Sequence, residues 1–223
     1  MEQQLRSFDG QGNMIRTGRD CVGETGVVSA GRAEAAAIGR DILAQGGNAI
    51  DAAVATAFAL GVCEPNASGL GGGGFMLLRD GKTGKNVFLD FRETAPQAAA
   101  PDMYTPKTPG SNVDVRERNV YGGMSAATPG EVAGLFYALE HYGTMTPAQV
   151  IAPAAKLARE GYVVTPMLHG DMEAHKDHLR QYGAGWKIYL KDGEPFAEGD
   201  TVKNPDLANT LEKLAAGGKD AFY

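Results

Sequence analysis

The stretch Ala49 to Leu60, AIDAAVATAFAL, is apolar nearly all round and carries one charged residue, Asp51. A helix of that kind has no face to give to water, so the rest of the chain must supply layers on several sides of it. Asn48 stands before it and Asp51 three residues later, which predicts a capped N-terminus. Extended to Val62, the run is still too short to cross a bilayer, which takes about 20 apolar residues. Neither it nor any other segment reaches that length without a charge.

The flanking sequence supplies the layers. Ala33 to Gln45 places Ile38 and Ile42 four residues apart and stops at Gly46-Gly47, a helix with a glycine end. Val27 to Ala30 is a short strand signal. After Glu64-Pro65-Asn66, the run Ser68 to Gly74 leads into Phe75-Met76-Leu77-Leu78. Asp80 to Gly84 is a turn, and Val87 to Phe91 is a return strand ending on Arg92-Glu93-Thr94-Ala95-Pro96, so a hairpin is predicted. Residues 97–127 look loop-like. Three threonine-proline pairs, at Thr128, Thr146 and Thr165, predict helix starts; Glu131 and Gln149 complete capping boxes for the first two. Val132, Leu135, Phe136 and Leu139 form one apolar stripe of the first of these helices. A second hairpin is expected around Asp192-Gly193, pairing Lys187–Leu190 with Thr201–Lys203, and a last helix from Asn204-Pro205 to Gly217-Gly218.

Helices and hairpins in this order, with 31 glycines in 223 residues, suit a mixed α/β (α+β) fold better than a helical bundle. Residues 1–25 lack periodicity and are expected to form a mobile N-terminal arm; residues 26–223 are expected to be one domain or one piece of a larger one. Met1 to Gly31 lacks the apolar core of a secretory leader, and the chain is expected to be soluble, with periplasmic, extracellular and cytoplasmic settings all compatible. A net charge of −6 with scattered Lys and Arg argues against nucleic acid as a partner. Cys21 and Cys63 could bridge, but Cys63 closes an apolar run and reads more simply as a small buried hydrophobe.

Several motifs fail their own context. Gly69 to Gly74 satisfies G-x-G-x-x-G, yet a helix precedes it and a strand follows, the reverse of what a dinucleotide site needs. Asp171, His175 and His178 share a helix face with Glu173, Lys176, Asp177 and Arg180, as a solvated surface would; no metal and no cofactor is implied. Asn66-Ala67-Ser68 matches a glycosylation sequon by chance, in a turn expected to be buried. No serine sits in a G-x-S-x-G elbow and no cysteine has a base beside it in sequence, so no catalytic nucleophile is visible. Arg92 stands apart because it ends an apolar strand, where α/β proteins present functional groups. Its guanidinium could grip a ligand carboxylate through two parallel hydrogen bonds or pair with Glu93 or Asp90 as a structural ion pair.

The blocks Gly46 to Ala55, Glu64-Pro65 through Ser68 to Met76, and Asp90 to Pro96 together resemble the gamma-glutamyltranspeptidase large subunit, in order and spacing. Ala127 to Gly130, Tyr142-Gly143, Ala152-Pro153-Ala154, Leu157 to Gly161 and Asp220 to Tyr223 continue the likeness. It implies an N-terminal nucleophile hydrolase fold, an αββα sandwich of which this chain holds the N-terminal portion with a helix-rich second half. The precursor cleaves itself, and the threonine freed at the start of the small subunit forms a γ-glutamyl enzyme. Arg92 matches the family arginine that binds the α-carboxylate of a γ-glutamyl substrate. The threonine and the small-subunit groups for the α-amino end and the oxyanion are not in these residues, so the chain alone is expected to be inactive, to need its C-terminal partner portion, and to self-associate without it. A cephalosporin or glutaryl acylase of the same fold and a non-catalytic module remain as alternatives.

Overall fold

The computed structural model describes residues 22–105, 115–181 and 184–223, with the side chains of 115–117 excepted. The proposed arm therefore lies almost wholly outside the described residues, as does Cys21. Helix α1 (Ala33–Ala44) and helix α2 (Ala49–Cys63) are followed by a hairpin of β1 (Phe75–Arg79) and β2 (Asn86–Asp90). Next come α3 (Val115–Val120), α4 (Glu131–Tyr142), α5 (Pro147–Glu160), β3 (Tyr162–Val163) and α6 (Pro166–Gln181). Then follow α7 (Gly185–Tyr189), β4 (Leu190–Lys191), β5 (Glu194–Pro195), β6 (Thr201–Val202) and α8 (Pro205–Gly217).

Helix α2 is the centre of the helical layer. It packs against α1, α4 and α5, and α5 in turn against α8. Ala52, Val54, Ala55, Phe58, Ala59, Val62 and Cys63 are all buried, and Phe58 meets Phe136 of α4 edge to face at 6.4 Å. Burial pushes the Cys63 thiol up to about 11, so it is a neutral core group. The predicted stripe of α4 points into this core.

Asp51 carries the connection between helices. Asn48 and Asp51 form a reciprocal capping box. The Asp51 carboxylate also accepts from the Thr144 amide at 2.9 Å, the Thr144 hydroxyl at 2.6 Å and the Met145 amide at 3.1 Å, in the α4–α5 turn. Burial opposes its ionisation, but the Thr144 hydroxyl and the amides of Asn48, Thr144 and Met145 outweigh it and hold the carboxyl below the ordinary aspartate range. A buried carboxylate survives only when its lone pairs are satisfied in this way.

The other caps divide. Thr146 with Gln149 forms the predicted box, Thr165 Oγ1 accepts from the Leu168 amide, and Asn204 caps α8. Thr128 does not cap: α4 begins at Glu131 behind Gly130, because the Thr128 backbone pairs with Thr94 instead. The second hairpin is also different. Asp192 and Gly193 both take positive φ, 54° and 85°, as a two-residue primed turn requires, so the return strand starts at once with β5. Lys187 to Tyr189 belongs to α7, and Thr201–Val202 pairs with Tyr162–Val163 rather than with Leu190. Val27 to Ala30 is in no strand, although Arg32 beyond it joins Glu34 and the Val163 carbonyl. The segment expected to be loop contains α3 and a 3₁₀ turn, Gly123–Ser125.

Sheet content is small: three two-stranded antiparallel pairs among the described residues. In the first, Phe75 pairs with Asp90 and Leu77 with Phe88. Leu78 is buried, and Met76 and Leu89 pack against the core. On the other face Phe75, Leu77 and Phe88 are 58, 75 and 61% exposed.

Asp51→Ala should cost about 3 kcal/mol in urea unfolding, because several donors lose one acceptor. Since its folded pKa is depressed, the Asp51 contribution should be complete above the unfolded value of about 4 and fade as pH falls through the folded value. Unfolding midpoints measured from pH 7 to pH 2 check this: the difference between native protein and variant should shrink only at the acid end.

Candidate functional site

The chain leaving β2 is stitched between two other segments. Phe91 exchanges backbone hydrogen bonds with Gly74 at 3.0 and 3.4 Å, and Thr94 does so with Thr128 at 3.2 and 2.9 Å. The Gly130 and Glu131 amides, at the start of α4, both donate to the Gly72 carbonyl at 2.9 Å. A helix N-terminus has orphan amides to satisfy, and here the glycine run satisfies two of them. The Tyr223 hydroxyl takes a third, accepting from the Ala133 amide at 3.2 Å while donating to the Pro129 carbonyl at 2.9 Å.

These contacts require backbones without side chains. A methyl on Gly73 would meet Phe91 O, Glu93 N and Arg92 Cα, and one on Gly134 would overlap the Phe91 ring. The glycine run is therefore a place of close backbone approach, as its position before a strand suggested.

The result is a cleft of about 580 Å³ between the end of α2, the glycine run, the β2 exit and the start of α4. Its charged lining is Arg92, Glu93 and Glu131. Arg92 Nη1 lies 3.3 Å from Glu93 Oε2, with the Arg92 side chain 57% exposed and that of Glu93 20% exposed. The guanidinium carbon is 6.0 Å from the Phe75 ring centroid, and the Arg92 amide donates to Asp90 Oδ1 at 3.1 Å. Of the two ion-pair partners considered from sequence, Glu93 is present, whereas Asp90 takes only the Arg92 backbone amide, and the guanidinium still opens to the cleft. Glu93 Oε2 is buried without a hydrogen bond, so its tie to Arg92 is an ion pair alone. Burial, and then repulsion from Glu93, push the Glu131 carboxyl above the ordinary glutamate range.

Glu131 and Tyr223 were not legible as site residues. Glu131 looked like part of a capping box, and only the Thr94–Thr128 bridge moves the helix start and turns it to the cleft. Asn66, Ala67 and Ser68 line the cleft beside the glycine run, whereas Asp171, His175 and His178 do not. Asp171 accepts from Asn66 Nδ2 at 2.7 Å, His175 Nδ1 lies 2.9 Å from the Asp171 carbonyl, and His178 stacks on Tyr121. Among the described residues no group of three His, Cys, Asp or Glu could hold a metal, and no helix is long and apolar enough to cross a membrane. Asn66 and Ala67 are exposed, so the turn expected to be buried is not.

The same backbone arrangement occurs in known enzymes. The Helicobacter pylori gamma-glutamyltranspeptidase structure superposes with a TM-score of 0.84 at 35% identity, over 92% of this chain and 58% of that one. The fold is thus the N-terminal portion of an N-terminal nucleophile hydrolase, contributing a helical layer and short antiparallel strand pairs. The gamma-glutamyltranspeptidase family model matches residues 35–223, and the chain belongs to that family. A glutathione hydrolase of Bacillus subtilis (strain 168) is 43% identical over 91% of this chain. An acylase, ACY 1 of Pseudomonas sp. (strain SE83), is 39% identical over 90%. The chain spans about a third of the length of these relatives, 34 and 36% respectively.

Gly134→Ala should destabilise by about 1–3 kcal/mol because the added methyl would overlap Phe91 Cβ, Cγ and Cδ1, the root of the side chain, and force the ring or the helix to shift. Gly81→Ala, with nothing within 4 Å, should stay within about 0.5 kcal/mol. Thermal unfolding of both variants tests the difference.

Proposed function

We propose that this chain supplies the carboxylate-binding wall of a γ-glutamyl acyltransferase and hydrolase acting on glutathione and related γ-glutamyl compounds. The observation that carries the reading is Arg92, held by Glu93 and the β2 exit but half-exposed to the cleft. A guanidinium in that state can turn its other N–H groups to a substrate α-carboxylate while Nη1 stays beside Glu93.

In the complete protein the hydroxyl of a freed N-terminal threonine attacks the γ-carbonyl, and its α-amino group takes the proton. The amine leaves with a proton, giving a γ-glutamyl ester on the enzyme. Water, or the amino group of an amino acid or peptide, then attacks the ester and restores the threonine. Arg92 holds the glutamyl end in place through both steps, which is catalysis by positioning. The 223 residues on their own are inactive in this reading, because the nucleophile comes from elsewhere in the protein.

The exposed face of Phe75, Leu77 and Phe88 supports a further layer packed over the hairpin, since an apolar face of this kind marks an interface. Without that layer the chain self-associates. An acylase acting on a glutaryl or cephalosporin side chain is the second reading, favoured by the Pseudomonas acylase relative.

The test is release of aniline from a γ-glutamyl anilide by the full-length, self-cleaved protein, with the 223-residue chain alone as the inactive control. No release by the full-length protein would overturn the reading. In that protein Arg92→Ala should raise KM by about 10- to 100-fold, as expected for hydrogen bonds to a charged group. Arg92→Lys should recover only part of it, because an ammonium cannot make the paired contact.

A further inference from the structure

A second cavity, of about 310 Å³, shares the Pro65-Asn66 turn with the Arg92 cleft as a common wall. Its other walls are Leu168, Asp171, Met172, His175 and Leu179 of α6 and Tyr189 of α7. Their spacing of three and four puts the α6 residues on one face of the helix. Leu168 and Met172 are buried, and burial pushes the Tyr189 phenol above the ordinary tyrosine range, so it stays a neutral hydroxyl. A mainly apolar cavity with a few polar groups is the usual form of a small-molecule site, and its volume falls at the lower end of the range of about 300–1,000 Å³ for such sites.

The charges on α6 single out one group. Glu173 pairs with Lys176 and Asp177 with Arg180, and Glu194 of β5 takes a second contact from both cations. Asp171 forms no ion pair among the described residues. Its side chain accepts from Asn66 Nδ2 at 2.7 Å, a neutral donor that leaves the negative charge unbalanced. His175 Nδ1 lies 2.9 Å from the Asp171 carbonyl, so in the neutral ring Nδ1 carries the proton and Nε2 is an acceptor.

We infer that this cavity binds a small amphipathic amine, its ammonium on Asp171 and its apolar body against Leu168, Met172 and Leu179. An ammonium here gains a charge-assisted hydrogen bond. An anion is repelled by the carboxylate, and a neutral ligand of the same shape strips water from Asp171 without replacing it. The site is separate from the acyl-transfer chemistry proposed above and stands or falls without it.

Isothermal titration of the full-length, self-cleaved protein with phenethylamine and with 2-phenylethanol, which has the same skeleton and no charge, tests the assignment. Phenethylamine should bind one to one, about tenfold more tightly than the alcohol. Asp171→Asn should weaken the amine about tenfold and leave the alcohol unchanged. His175→Lys places an ammonium one helical turn from Asp171 and should weaken the amine as much by occupying the carboxylate. His175 is exposed, so this variant keeps the test open if Asp171→Asn fails to fold, and thermal unfolding checks both. Glu131→Gln, which alters the neighbouring cleft, should leave the affinity as it is. No one-to-one binding of phenethylamine, equal affinity for the alcohol, or an affinity unchanged in both α6 variants overturns the inference. Loss of binding in Glu131→Gln with retention in the α6 variants places the amine in the cleft and overturns it as well.

Discussion

The Asp51 carboxylate joins two parts of the molecule at one point: the start of α2 through Asn48, and the α4–α5 turn through Thr144 and Met145. A charge in that position is tolerated only because every contact is a donor, and the donors come from segments more than 90 residues apart in sequence. Helix α2 keeps only a narrow accessible stripe through Ala49, Ala53, Ala57 and Leu60, and most of the rest of its surface is buried. Once its N-terminus is pinned, the positions of α4 and α5 against it follow, and with α4 goes the wall of the cleft.

From that helical layer to Arg92 the path is made of backbone. Gly72 accepts from the first amides of α4, Gly74 pairs with Phe91, and Thr94 pairs with Thr128. Main-chain contacts of this kind leave little freedom at the β2 exit, which suits the positioning role proposed for Arg92. Arg92 itself is not buried. Its preorganisation comes from Glu93 on one side and the Phe75 ring on the other, so the guanidinium is oriented while its remaining N–H groups stay available.

Much of this was legible in the sequence. The apolar run with Asn48 and Asp51, the glycine stops, the first hairpin, the caps of α5, α6 and α8, and the α4 stripe all depend on residues within a few positions of one another. The failures share a cause as well. Thr128 was diverted from capping by Thr94, and Thr201–Val202 was claimed by Tyr162–Val163; both are pairings between distant segments that no local pattern announces. At Asp192-Gly193 the turn was found but its length was not, because two positive φ values bring the return strand in immediately.

By itself the sequence determined the local elements, the buried nature of α2 and, through blocks in register, the family and the candidate role of Arg92. Local propensity, capping chemistry and hydrophobic period act over one or two turns, so a sequence displays them openly. The tertiary structure alone decided that Glu131 leaves its capping box for the cleft, that Tyr223 closes the start of α4, and that Arg92, Glu93 and Glu131 share one enclosure. Those outcomes depend on which distant backbones approach closely enough to hydrogen-bond, and that is fixed only when the helical layer and the hairpin pack together.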